Sequence, residues 1–190
     1  MTLTKTDLVA GDLLLVVDVQ KDFCPGGALP IAGGDEVVPI INDWIHAAQD
    51  AGVPVCLSRD WHPRRHVSFE ENGGEWPPHC IQDTDGARFH ADLEVPHDAV
   101  IVTKGTRFDQ DQNSAFDQTG LADWLHKQQI RRIFVGGLAQ DVCVRASVLD
   151  GCKAGFEMAL ISAATRPVSS EGSVEALAAM RQAGARILEA

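Results

Sequence analysis

The run Leu13-Leu14-Leu15-Val16-Val17 is five consecutive apolar residues closed by Asp18. It has no alternation, so it does not suit a strand with one wet face. It suits a strand buried on both sides, as in a parallel sheet covered by helices. Similar short runs recur at residues 53–58, 99–103, 132–137 and 156–162, and Ala185–Leu188 offers a sixth strand. Between them the apolar spacing becomes helical. Val37, Ile40, Ile41, Trp44, Ile45 and Ala48 define one helix, with Asp35 as the expected N-cap, Gly52 as the stop and Pro39 near the first turn. A short helix is predicted over Leu121–Gln128, another over Asp141–Gly151 and a last one over Ser173–Gln182. Alternating strands and helices predict an α/β fold: one domain over residues 1–190, three layers, and a mostly parallel, roughly six-stranded sheet with right-handed crossovers. A length of 190 residues with 45% hydrophobic content is enough for one such core.

Charge narrows the partners. The formal net charge is -11, and no block of lysine or arginine forms a stripe, so nucleic acid and anionic membrane are not expected partners. The apolar runs are too short to span a bilayer, and the first twelve residues lack the apolar stretch of an export signal. Five cysteines without a CxxC pattern read as free thiols in a reducing cytoplasm.

Ligands of open parallel sheets bind at the carboxyl ends of the strands, near a switch in strand order. Asp18, Asp60 and Lys104 fall at or just past such ends, and Cys143 follows the strand at 132–137 at the start of a predicted helix. A thiol is a nucleophile only as the thiolate, which a helix N-terminus, a nearby cation or a base favours. The helix start, Lys104 and Asp18 are the candidates for these three roles. Singly, each residue also has an ordinary reading: a buried cysteine, a strand-end carboxylate, a solvated lysine. Cys56 and Cys152 fit the buried reading, and Cys24 and Cys80 lie in loops near the expected site. Asp22 is expected to serve its loop.

The stretch "RDWHPRRH" raises a second question. Asp60 and His62, two apart in extended chain, face the same way. With His79 in "WPPHC" they would form a site of one carboxylate and two imidazoles, open to water, which suits a catalytic divalent metal: zinc first, iron or manganese as alternatives. His66 is open between fourth ligand, partner of the ligands, or neither, and His46, His90, His97 and His126 are expected outside the site.

Together "LLVVDVQKDFCPGGALP", "RDWHPRRHVSF", "WPPHC", "VTKGT", "NSAF" and "GGLAQDVCVRASVLD" resemble the nicotinamidase/pyrazinamidase branch of the isochorismatase-like cysteine hydrolases, nearly end to end. The resemblance implies a catalytic triad of Asp18, Lys104 and Cys143. It implies metal ligands Asp60, His62 and His79, and aromatic residues Phe23 and Trp76 sandwiching the substrate ring. A cis peptide would precede Ala139, and the backbone N–H groups of Ala139 and Cys143 would form the oxyanion hole. The implied activity is deamidation of nicotinamide to nicotinate and ammonia, and of pyrazinamide, through a thioester, serving NAD salvage. The implied partner is a small amide; homo-oligomerisation is left open. Gln140 and Val142 depart from a family loop written ATDYCV, and Asn113 replaces a common tyrosine; these changes bear on the pocket wall and the preferred amide. Two rival readings are a hydrolase of another small amide or ureido compound, and a metal-binding sensor with a redox-active cysteine.

Overall fold

The computed structural model describes residues 3–189. Its six strands are β1 (Asp12–Val17), β2 (Val55–Asp60), β3 (Val100–Lys104), β4 (Arg132–Leu138), β5 (Glu157–Arg166) and β6 (Arg186–Leu188). They form one sheet in the order β3-β2-β1-β4-β5-β6, and every neighbouring pair is parallel. The expected "mostly parallel" sheet is wholly parallel. The chain builds outward from β1 to β3, then returns to the other side of β1 for β4, which puts the switch in strand order between β1 and β4.

The unbroken apolar run of β1 is explained by both faces being covered. Leu14 and Val16 join one core with Ile41, Trp44 and Ile45 of α1 (Val37–Asp50) and with Phe134. Leu13, Leu15 and Val17 join the other, with residues of α2 (Leu121–Lys127), α3 (Arg145–Lys153) and α4 (Ser170–Gln182). All five are essentially inaccessible, and each such side chain contributes on the order of 2 kcal/mol through burial. Among the described residues no helix is long and apolar enough to cross a membrane.

Three helix starts differ from expectation. Asp35 does not cap α1: it lies inside a 3₁₀ turn, Gly34–Glu36, and α1 begins after that turn without a side-chain cap. Pro39 is accommodated in the first turn, where its missing N–H has no intrahelical acceptor to lose. Helix α4 starts three residues early because Ser169 Oγ accepts the N–H of Gly172 at 3.0 Å. Before α3 the chain makes a π turn, Gln140–Val144, closed by the Val144 N–H on the Ala139 carbonyl at 3.0 Å.

Two features let the chain leave the sheet at the switch point. Gly137 has φ +126°, and a Cβ there would lie 2.0 Å from the Val17 carbonyl oxygen, so only glycine lets β4 pass so close to β1. Asp18 itself takes a left-handed conformation, φ +48°, which aspartate tolerates better than most residues.

The long connection from β2 to β3 contains only a 3₁₀ turn at Glu70–Asn72 as regular helix. It is ordered by side chains that follow β1. Gln20 Nε2 donates to the carbonyls of Asp60 and Ala87 at 2.8 Å each, and its Oε1 accepts the Asp60 N–H at 2.8 Å. Asp22 accepts from the N–H groups of Cys80 at 2.7 Å and Ala28 at 3.1 Å, which is the loop-holding role expected of it.

Candidate active site

The carboxyl ends of β1, β2 and β3 deliver Asp18, Asp60 and Lys104 to one buried point, and the π turn after β4 brings Cys143 to the same point. Lys104 is fully buried and is the hub. Its Nζ lies 2.8 Å from Asp18 Oδ2 and 2.6 Å from Asp60 Oδ1. It also donates to the Gln112 carbonyl at 3.3 Å and to Cys143 Sγ at 3.5 Å. Asp18 Oδ1 accepts from Ser58 Oγ at 2.7 Å. Its Oδ2 is ion-paired with Lys104, yet it is the one buried side-chain oxygen among the described residues that no aligned hydrogen bond satisfies. A carboxylate oxygen of Asp18 and Cys143 Sγ lie within 4.8 Å of each other.

One cation thus serves two buried carboxylates, and they divide it unequally. Burial opposes the charge on Asp60, but Lys104 and His62 outweigh it and hold the carboxyl well below the ordinary carboxylate range. Burial raises Asp18 instead, and Lys104 only partly offsets this. Asp18 is therefore the carboxylate that more readily takes a proton, while Asp60 remains anionic. The expectation for the thiol needs correcting. Burial pushes the Cys143 thiol well above its ordinary value, although Lys104 pulls the other way. The expected helix N-terminus is absent at Cys143, since a π turn occupies that position. A thiolate here depends on proton transfer to a neighbour rather than on a lowered resting value.

Asp60, His62 and His79 each present one donor atom, and these atoms lie within 4.8 Å of one another. The imidazoles are held by their other nitrogens: His62 Nδ1 meets the Gly105 carbonyl at 2.9 Å, and His79 Nδ1 meets the Pro77 carbonyl at 2.7 Å. Each ring keeps Nε2 for the centre, and His62 Nε2 lies 3.6 Å from Asp60 Oδ2. Carbonyl partners of this kind fix the tautomer that a metal ligand needs. Burial lowers His79 and so favours its neutral form, whereas burial of His62 is outweighed by Asp60, which raises it. The donor set therefore fits a divalent cation. His66 stands apart: its ring is 4.1 Å from that of His62, but Nδ1 engages Ser68 Oγ at 2.6 Å and Nε2 the Gln110 carbonyl at 3.1 Å. With both nitrogens engaged it supports the His62 ring and offers no donor to the centre. Phe69, which the sequence did not single out, sets its fully buried ring against His62, His66 and His79 at 5.6, 5.7 and 5.5 Å.

Both groups open onto one pocket. Phe23 and Trp76 line it, as do Ala139, Val142, Asn113 and Asp111, together with Asp60, His62, His79 and Cys143. Phe23 also contacts His79, ring centroids 5.5 Å apart. The Leu138–Ala139 peptide is cis. Of the three departures from the family pattern, Val142 and Asn113 reach the pocket but Gln140 does not. Gln140 is buried behind it, donating to Thr165 Oγ1 at 2.8 Å and accepting from Ser173 Oγ, so it ties the π turn to β5 and α4. None of His46, His90, His97 and His126 lines the pocket, nor do Cys24 and Cys80, which are buried beside it in sequence. Gln20, Ser58 and Gln112 were also missed; each is a polar residue whose role exists only through a distant partner.

Residues 12–190 match the isochorismatase domain. The chain is 36% identical to a nicotinamidase of Escherichia coli over 92% of each chain. Among solved structures, the pyrazinamidase of Pyrococcus horikoshii in complex with zinc superimposes with a TM-score of 0.91 at 41% identity, covering 95% of this chain and 99% of that one. An L. infantum protein in complex with nicotinate gives a TM-score of 0.87 at 35% identity, covering 100% and 96%. With a family match over residues 12–190, and sequence and fold matches that span nearly the whole chain, the protein belongs to the isochorismatase domain family, in its nicotinamidase/pyrazinamidase branch.

Proposed function

We propose that the protein is a metal-containing cysteine amidohydrolase that deaminates nicotinamide to nicotinate and ammonia, and acts likewise on pyrazinamide. The observation that carries this reading is the single pocket in which Cys143, backed by buried Lys104 and Asp18, faces the Asp60–His62–His79 donor set between Phe23 and Trp76. The relatives at 36% and 41% identity support the substrate class.

In this reading Asp18 takes the Cys143 proton, and the thiolate attacks the carboxamide carbon. Backbone N–H groups of Ala139 and Cys143 donate to the oxyanion, each worth roughly 3 kcal/mol in comparable sites. Asp18 returns the proton to the departing ammonia, leaving an acyl group on Cys143. Asp18 then deprotonates the water that hydrolyses the thioester. Lys104 stays charged throughout and balances whichever of Asp18 or Cys143 is anionic. Phe23 and Trp76 hold the ring. Asp60, His62 and His79 would hold a divalent metal, with zinc preferred over iron or manganese, and two neutral nitrogens with one carboxylate suit these ions better than magnesium. When bound, the metal supplies a Lewis-acidic anchor for a ring nitrogen and for ordered water. The free thiols fit the reducing cytoplasm.

A metal-binding sensor would leave buried Asp18 and Lys104 without a role, and a hydrolase of another small amide or ureido compound would leave the donor set without one. Ammonia release from nicotinamide, with benzamide as the control lacking the ring nitrogen, tests the reading; a protein inert toward nicotinamide overturns it.

The donor set makes its own prediction. His62→Ala and His79→Ala are each expected to lose most bound metal and to raise KM for nicotinamide about tenfold or more, whereas His66→Ala retains most of it. Elemental analysis and steady-state kinetics check this. Metal loss in His66→Ala equal to that in His62→Ala would make His66 a ligand.

A further inference from the structure

Asn113 stands where the resemblance expects a tyrosine, and its carboxamide is placed against the nucleophile: Oδ1 lies 3.8 Å from Cys143 Sγ as acceptor of the S–H. The residue lines the pocket and is exposed within it, so no packing requirement accounts for its side chain. The chain on either side of it, by contrast, is held tightly. Gln112 Oε1 accepts the Gly105 N–H at 3.1 Å, Gln112 Nε2 donates to the Asp117 carbonyl at 2.7 Å, and the Ala115 N–H donates to Ser147 Oγ at 2.9 Å. The Gln112 carbonyl also accepts from Lys104 at 3.3 Å. Asn113 is thus fixed beside Cys143 by a segment that also contacts Lys104, while Ala139, the start of the nucleophile turn, follows the end of β4.

We propose that Asn113 is a specificity-determining residue whose Oδ1 accepts an N–H of the scissile carboxamide and so turns the leaving nitrogen toward Asp18. The inference rests on the amidase reading above and deepens it. A carboxamide bound with its oxygen at the N–H groups of Ala139 and Cys143 directs its nitrogen away from them, and Asn113, in the same pocket and in contact with Cys143, offers Oδ1 as an acceptor for it. In the resting protein Oδ1 receives the thiol proton's hydrogen bond. When that proton passes to Asp18, Oδ1 loses its donor, and a substrate N–H replaces it. The acceptor is therefore freed at the moment the thiolate forms. A primary amide supplies the N–H; an aldehyde or another carbonyl compound without nitrogen does not.

The test compares two probes on the wild-type protein, Asn113→Leu and Asn113→Ala. Nicotinamide carries the N–H groups. Pyridine-3-carbaldehyde keeps the ring and the carbonyl, adds reversibly to a thiol, and has none. Both variants are expected to lose roughly tenfold in kcat/KM for nicotinamide, while the inhibition constant of the aldehyde shifts by less than about threefold. Parallel losses for both probes would mean that Asn113 only shapes the pocket and would overturn the proposal, as would unchanged kcat/KM in the variants. A wild-type protein that the aldehyde inhibits but that releases no ammonia from nicotinamide would overturn the amidase reading instead.

Discussion

Cys143→Ala is expected to lower ammonia release from nicotinamide by on the order of 10⁴-fold or more, with the fold intact. The size follows from the chemistry. Without the sulfur there is no covalent route, and Asp18 alone would have to activate water against an unstrained amide. The oxyanion donors and the pocket remain, so binding should survive while turnover does not. The structural cost is small, since one atom is removed beside a pocket. Cys56→Ala is the control: Cys56 is fully buried near the start of β2, away from the pocket, so its loss should cost about 1 kcal/mol of stability and leave turnover nearly unchanged. Alkylation separates the thiols further. Burial raises Cys56 to about 12 and Cys24 to about 11 and raises Cys143 as well, but Cys143 lines the pocket with Lys104 3.5 Å from its sulfur and Asp18 close enough to take its proton. Limiting iodoacetamide should inactivate the enzyme in step with labelling of Cys143. Inactivation without Cys143 labelling, or wild-type turnover in Cys143→Ala, would remove the covalent mechanism.

Lys104→Met should damage both activity and stability, and its pH dependence has a definite sign. The variant leaves the Asp18 and Asp60 carboxylates buried without the ammonium that lies 2.8 and 2.6 Å from them. Breaking a buried ion pair in this way costs about 3–5 kcal/mol. Asp60 is held well below its ordinary range in the native protein, so it contributes stability above the unfolded carboxylate value that is lost as pH falls through the folded one. The variant lacks this contribution. The stability gap is therefore widest near neutral pH and narrows as the pH drops below about 4. Urea denaturation at neutral and acidic pH measures it. Turnover, assayed where the variant is still folded, should fall at least 100-fold, because an uncompensated pair of carboxylates disfavours the Cys143 thiolate. A gap that is the same at both pH values would show that Lys104 contributes packing and not charge.

Much of the architecture was legible because its signals are local. An apolar run such as Leu13–Val17 states by itself that both faces of the strand are covered, and the helical spacing from Val37 to Ala48 names the face that covers one of them. The starts of helices were less legible, since a cap depends on backbone geometry: Ser169, not Ser173, marks α4, and a 3₁₀ turn displaced Asp35 from α1. At the site, the rule that strands end at the reactive edge was enough to group Asp18, Asp60, Lys104 and Cys143. Donor chemistry placed His79 beside Asp60 and His62, and the resemblance added Phe23 and Trp76, which no periodicity pointed to.

The sequence by itself determined the layer order, the edge of the sheet that carries chemistry, and the residue types present there, because side-chain period and strand length are properties of neighbouring residues. Only the tertiary structure decided which nitrogen of each histidine is free, that His66 has none to offer, that Gln140 faces β5 and α4 while Asn113 faces the thiol, and that one lysine is shared by two carboxylates with unequal results. Each of these depends on a hydrogen bond or an ion pair between residues far apart in the chain: His62 with Gly105, Gln140 with Thr165, Lys104 with Asp18. Such pairings are set by how loops cross after the sheet has formed, and a protonation preference is set by the burial that follows, so neither leaves a periodic trace in the sequence.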